Sequence, residues 1–147
     1  AYVIRGRVTE GLTLVEGAKS IVATDGRFST TALNDVSTTW NAQAGGMGAA
    51  SKYVTSILLN GNSGVITLTF NSANLGVAAG SNTIILSPYV RTATTGTLAA
   101  QLAGANPTSG RIVWACATTT NATATASGLT GAALGTLLAK FAPVSCQ

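Results

Sequence analysis

The chain has no histidine, only two cysteines, and only four acidic residues against eight lysines and arginines in 147. Each shortage removes a class of function. General acid–base and nucleophilic catalysis need a group titrating near neutral pH, or a nucleophile beside a base. The only carboxylates, Glu10, Glu16, Asp25 and Asp35, all fall in the first quarter of the chain. A hydrolytic carboxylate pair would have to be built from side chains that a helix surface already explains. The Gly45-Gly46 cluster lacks the lysine and flanking strand of a phosphate-binding loop. A zinc site, which needs about four Cys, His or carboxylate ligands, is not expected either. No run of about 20 apolar residues is present to span a membrane, and no signal peptide precedes Ala1. Neither an enzyme nor a metal or cofactor binder is expected.

Charge itself is scarce. Charged residues make up 8% of the chain, against roughly 25% in a typical soluble domain, and Thr, Ser, Asn, Ala and Gly take their place. Such a surface repels its neighbours little, which suits dense self-association or an extracellular life. The net charge of +4 is spread over Arg5, Arg7, Lys19, Arg27, Lys52, Arg91, Arg111 and Lys140 rather than massed, so nucleic-acid binding gains little support.

What is present reads as one α+β domain. Ile4, Val8, Leu12, Val15, Ala18 and Val22 recur every three or four positions, which puts them on one helix face, and Asp25-Gly26 supplies a stop. Pairs such as Arg7 with Glu10 and Glu16 with Lys19 would add a few tenths of a kcal/mol each, on the order of 0.3. Gly6, Gly11 and Gly17 each cost about 1 kcal/mol relative to alanine, so the helix must be clamped by packing. The same glycines admit a second reading, close approach of another backbone in an assembly. Ala1 and Tyr2 enter the periodic sequence with no capping residue, so the helix is expected to continue upstream in a longer native chain.

Residues 26 to 51 show no sustained period and read as a long connecting loop or series of turns, tacked to the core by Trp40. Tyr53 to Leu59 and Val65 to Phe70 read as a β-hairpin around Asn60-Gly61-Asn62-Ser63-Gly64. Thr83 to Tyr89 and Arg111 to Cys116 read as two further strands, the first ending or lying on an edge at Pro88. Arg91 to Ser109 reads as a surface excursion. The uncharged run from Ala117 to Ser127 reads as solvent-facing loop. Leu134, Leu137, Leu138 and Phe141 then suggest one or two helical turns before Pro143. Asn121-Ala122-Thr123 is a formal glycosylation acceptor, a match common by chance.

If Cys116 and Cys146 pair, the last fifth of the chain becomes a closed loop, a display surface rather than a catalytic pocket; two free buried thiols stay open as the alternative.

Four segments carry a resemblance. Ala1-Tyr2 with Arg7-Val8-Thr9-Glu10-Gly11-Leu12-Thr13-Leu14-Val15-Glu16-Gly17-Ala18-Lys19 is similar to the exposed half of the backbone helix of bacterial type IVa pilins. Lys52-Tyr53-Val54 is similar to the start of their first strand, and Gly110-Arg111-Ile112-Val113-Trp114-Ala115-Cys116 to the end of their sheet. Lys140-Phe141-Ala142-Pro143-Val144-Ser145-Cys146 resembles their closing loop. The resemblance implies a single pilin domain over 1–147. In it, 1–25 is the C-terminal half of the long helix, 26–51 the αβ-loop, 52–116 a four-stranded antiparallel sheet, and 116–146 a disulfide loop bridged by Cys116 and Cys146.

The resemblance also implies a role: polymerisation into a retractable surface fibre for adhesion and twitching motility. The upstream apolar helix half would be processed, methylated and held in the inner membrane before assembly. Partners would be identical subunits and the pilus assembly machinery, with host receptors or phage and, less strongly, DNA. Ile4, Val8, Gly11, Leu12 and Val15 would form the assembly face, left partly uncovered in the monomer. Thr118, Thr120, Asn121, Lys140, Phe141 and Pro143 would be receptor-loop residues, and the long loop and the Arg91 to Ser109 excursion depart from the family pattern. The alternatives are a minor pilin or binding module capturing DNA, glycan or a receptor, and a type II secretion pseudopilin. The absence of carboxylates after Asp35 argues against the calcium sites common in the last.

Overall fold

The computed structural model describes residues 2–104 and 110–147. The expected helix start at Ala1 and residues 105–109 of the expected excursion lie outside them. Helix α1 (Tyr2–Ile21) passes into a single π-turn (Val22–Gly26). Its three-and-four spacing buries Val8, Gly11, Val15 and Ala18. Glu16 and Lys19 pair at 3.3 Å, the only salt bridge among the described residues. Arg7 does not pair with Glu10; its guanidinium donates to the Asn74 and Leu75 carbonyls and lies over the Tyr53 ring.

The reading of 26–51 as loop is corrected by a helix, α2 (Thr30–Asn41). Ser29 caps it, its Oγ accepting from the Ala32 amide at 2.9 Å, and Leu33 is buried at the domain core. A short turn, α3 (Gln43–Gly46), follows, with Ala44 and Gly45 in the left-handed region. This segment closes the outer edge of the first strand, β1 (Val54–Leu59). Asn41 mimics a neighbouring strand, donating to the Leu59 carbonyl and accepting from its amide, both at 2.8 Å. Trp40 Nε1 donates to the Ile57 carbonyl at 2.9 Å, so the indole does tack the segment down, and the Ile57 amide donates to the Met47 carbonyl. Gly48 is required by this approach: its φ is +73°, and a Cβ there would meet the Ile57 carbonyl oxygen.

Strand β2 (Ile66–Phe70) pairs antiparallel with β1, and α4 (Ser72–Leu75) leads to β3 (Thr83–Arg91). Beyond it lie β4 (Thr95–Thr97), α5 (Leu98–Ala103) and β5 (Arg111–Ala117). The sheet has five strands rather than four: β1-β2-β3-β5 form its body, and the short β4 pairs with the far end of β3. The expected excursion from Arg91 therefore holds β4 and α5, and it buries Leu98.

Pro88 does not end its strand, but it does lie where one side of β3 is a local edge. The Phe70 amide donates to the Asn82 carbonyl, so even-numbered β3 positions turn their backbone groups toward β2. Pairing with β2 stops at Leu86 and pairing with β4 starts at Tyr89. The missing amide of Pro88 falls in that gap, where no ladder bond is lost.

Alternation along β3 and β5 divides the apolar residues between two faces. The α1 face carries the main core of Ile57, Leu68, Phe70, Ile84 and Leu86 with Val8, Val15 and Val22. The other face holds a smaller cluster of Tyr89, Ala115, Ala124, Leu129 and Ala132. Part of that cluster comes from the run expected as solvent-facing loop, which instead forms α6 (Ala122–Ala126) and lays Ala124 against the sheet. The helical turns expected from Leu134 to Phe141 reduce to a 3-10 turn at Ala139–Phe141. The Thr136 and Leu137 amides are committed to the Thr83 carbonyl, so only Leu137 turns inward while Leu134 and Leu138 stay exposed.

Candidate functional site

Two surfaces bear on function: the N-terminal helix and the C-terminal loop. On the helix, the face expected to stay uncovered is the one the domain keeps for itself. Val8 and Val15 are fully buried, and Gly11 lies under the Phe70 ring, where a Cβ would stand 2.5 Å from Phe70 Cε1. Ile4 and Leu12 flank this face half-buried, packed against the core. Gly11 is thus small because the sheet presses on it. Gly17 faces the Trp40 ring, and only Gly6 of the three has open space around it.

The uncovered stripe runs along a flank of the helix, beside the buried face. Tyr2 and Val3 are 89% and 59% exposed, and Leu14 is also exposed. Val3, Gly6, Glu10 and Leu14 recur at three- and four-residue steps, so they share one line along α1. The period that located the core face in the sequence left this shorter stripe unnoticed, although Val3 and Leu14 mark it.

Cys116 at the end of β5 and Cys146 in a 3-10 turn (Val144–Cys146) are joined by a disulfide, with Cα atoms 4.6 Å apart. Hydrogen bonds fasten the same join. Thr118 Oγ1 donates to the Cys146 carbonyl at 2.8 Å, and the Thr123 amide to the Gln147 carbonyl at 2.8 Å. Gln147 Nε2 donates to the Ala139 and Ala142 carbonyls.

The six expected receptor-loop residues separate on this frame. Thr118 is fully buried and acts as a strut, which corrects its place on a contact surface. Half-buried Asn121 donates through Nδ2 to the Ala132 carbonyl, and half-buried Thr120 accepts from the Ala122 amide. Phe141 and Pro143 are half-buried, with Phe141 packed on the core. Lys140 is exposed, its ammonium over the Phe141 ring and its carbonyl accepting from Arg5 Nε at 2.7 Å. Val144, 74% exposed beside the disulfide, is the surface residue that sequence reasoning passed over. An apolar residue between proline and serine carries no periodic signal.

Beneath the loop, the Tyr89 hydroxyl donates to the Thr130 carbonyl at 2.8 Å, and burial pushes its pKa above the ordinary tyrosine value. The folded state therefore holds the phenol proton more tightly than the unfolded chain. Its contribution is full below the unfolded pKa near 10 and is lost as pH rises through the folded value. Urea midpoints at about pH 8 and about pH 11 should fall further for the parent than for Tyr89→Phe. Equal losses in both would show that Tyr89 does not carry this linkage.

No described helix is long and apolar enough to cross a membrane. Among known proteins, the family model for pilins, the subunits of a bacterial filament, matches residues 4–147. A crystal structure of a type IV pilin from Pseudomonas aeruginosa superposes with a TM-score of 0.94 at 48% sequence identity, covering 99% of this chain and 98% of that one. No curated protein matched.

Proposed function

Because this chain belongs to the pilin family of bacterial filaments, we propose that it polymerises through α1 into a retractable surface fibre that serves adhesion and twitching motility. It is a structural subunit of a type IV pilus, and its principal partner is its own kind. The observation that carries the assembly reading is the uncovered stripe of Val3, Gly6 and Leu14, interrupted by the carboxylate of Glu10, on a helix whose buried face is locked to the sheet. Ile4 and Leu12 extend that contact at its margins, while Val8, Gly11 and Val15 serve it indirectly by fixing the helix to the domain. An upstream apolar segment would hold the subunit in the inner membrane until the assembly machinery draws it into the extracellular fibre. No catalytic step belongs to this role. On the loop, Lys140 and its neighbours Thr120, Asn121, Phe141 and Pro143 form the surface offered to receptors or phage, with Val144 beside them.

Mass spectrometry of filaments sheared from the source cells tests the reading. The expected result is this chain as the dominant species, extended upstream by an apolar segment with a methylated first residue. Absence from every filament would overturn it.

A further inference from the structure

An open recess of about 320 Å³ lies between the end of α1 with its π-turn and the outer face of α2. Its apolar walls are Ile21, Val36 and Trp40, and Asp25 and Asp35 line it as well. Neither carboxylate makes an ion pair or hydrogen bond among the described residues. An apolar recess with an indole wall and two unpaired carboxylates matches a cation on an aliphatic stem, above all a guanidinium, which stacks on aromatic faces and reaches carboxylates with a planar fork.

Among the described residues, one cationic side chain is left without a partner. The β3–β5 register sets Arg91 directly opposite Arg111, a like-charge pair that costs about 0.2–1 kcal/mol. The Arg91 guanidinium is tied to the Ser127 carbonyl, whereas the exposed side chain of Arg111 makes no hydrogen bond or ion pair among the described residues. No acidic side chain follows Asp35 in the sequence, and among the described residues no carboxylate lies within ion-pair distance of Arg111.

We propose that the pocket between α1 and α2 receives Arg111 of a second copy of this chain, so that Asp25, Asp35 and Trp40 of one subunit hold the guanidinium of its neighbour. The inference rests on the filament reading above and adds a contact between globular domains to the helix contact. As proposed, the contact is head-to-tail, Arg111 of one subunit entering the pocket of the next, the kind that propagates along a polymer. A like-charge pair kept inside one subunit then acts as a specificity device, relieved only when the neighbour docks.

The test uses cells assembling fibres from the full chain, with sheared fibre compared against total subunit. Asp25→Arg with Asp35→Arg, and separately Arg111→Asp, should each cut fibre yield at least about tenfold, because reversal places like charges together. The three changes combined should restore yield to within about twofold of the parent. Thermal midpoints of the purified domains show whether each variant folds; where a reversal does not, Asp25→Asn with Asp35→Asn and Arg111→Gln replace it. Asp35→Cys with Arg111→Cys, treated with a short bismaleimide, should give a ladder of linked subunits from intact fibres. Folded reversal variants that assemble at parental yield, or fibres that give no ladder, would overturn the docking. Cells in which the parent chain itself enters no fibre would instead overturn the filament reading.

Discussion

Replacing Cys116 and Cys146 together with serine is expected to destabilise the domain by about 3–4 kcal/mol, the loop-closure entropy for a bridge between positions 30 residues apart. At about 2–4 °C per kcal/mol for a domain of this size, the thermal midpoint should drop by roughly 10 °C. The structure says where the loss will concentrate. Segment 118–146 is held to the sheet by threonine and glutamine bonds to backbone carbonyls, each worth about 1 kcal/mol, and by a small cluster built largely of alanines. Without the covalent tie these contacts must hold a 30-residue excursion alone. Amide exchange should therefore quicken first at Thr119, Thr123 and Leu137, while β1 to β3 stay protected. A uniform rise across the domain would mean that the loop and the sheet form one cooperative unit. A stability change under about 1 kcal/mol would mean that the hydrogen bonds already close the loop.

That dependence also explains which parts of the fold were legible in the sequence. Helix α1 and strands β1, β2 and β5 announce themselves because their buried residues repeat at the period of the element, Val8 to Val22 by threes and fours and Ile66, Leu68 and Phe70 by twos. Helix α2 carried a weaker signal. Ser29 as cap and Leu33, Val36 and Trp40 at steps of three and four were readable, but threonines, asparagine, aspartate and serine between them have low helix propensity and masked the pattern. In the C-terminal loop the one apparent period, Leu134 to Phe141, misled, because the order there comes from hydroxyls and amides bonding to distant backbone. Thr118 and Asn121 look like surface residues until their partners, Cys146 and Ala132, are in place. The helix surfaces posed a different difficulty. Periodicity marks an apolar face without saying what covers it, so Val8 and Val15 looked available for assembly when the sheet had already taken them. The pocket beside α2 was illegible for a related reason: Asp25 and Asp35 come to line one recess only after the turn at residues 27–29 reverses the chain.

Phe70→Ala is expected to cost about 3–5 kcal/mol, since the ring is fully buried at the centre of the α1–sheet interface and its loss leaves a cavity. The more discriminating result comes from combining it with Gly11→Ala. On the parent background the new methyl would sit 2.5 Å from Cε1 and 2.8 Å from Cζ of Phe70, with Val54 Cγ2 at 3.3 Å. The ring is enclosed and the helix backbone is anchored by Val8 and Val15, so neither gives way freely. Overpacking of this kind costs about 1–3 kcal/mol. It outweighs the roughly 1 kcal/mol that alanine gains over glycine inside a helix. Once Phe70 is alanine the obstruction is gone and only the helical gain remains, so Gly11→Ala should change sign and stabilise by about 1 kcal/mol. Denaturant melts of the four proteins give the coupling directly; the helical gain cancels, so it should equal the overpacking cost of about 1–3 kcal/mol, within the usual range for residues in contact. Additive effects would mean that Gly11 and Phe70 are not in contact, and the reading of Gly11 as a seat for the ring would fail.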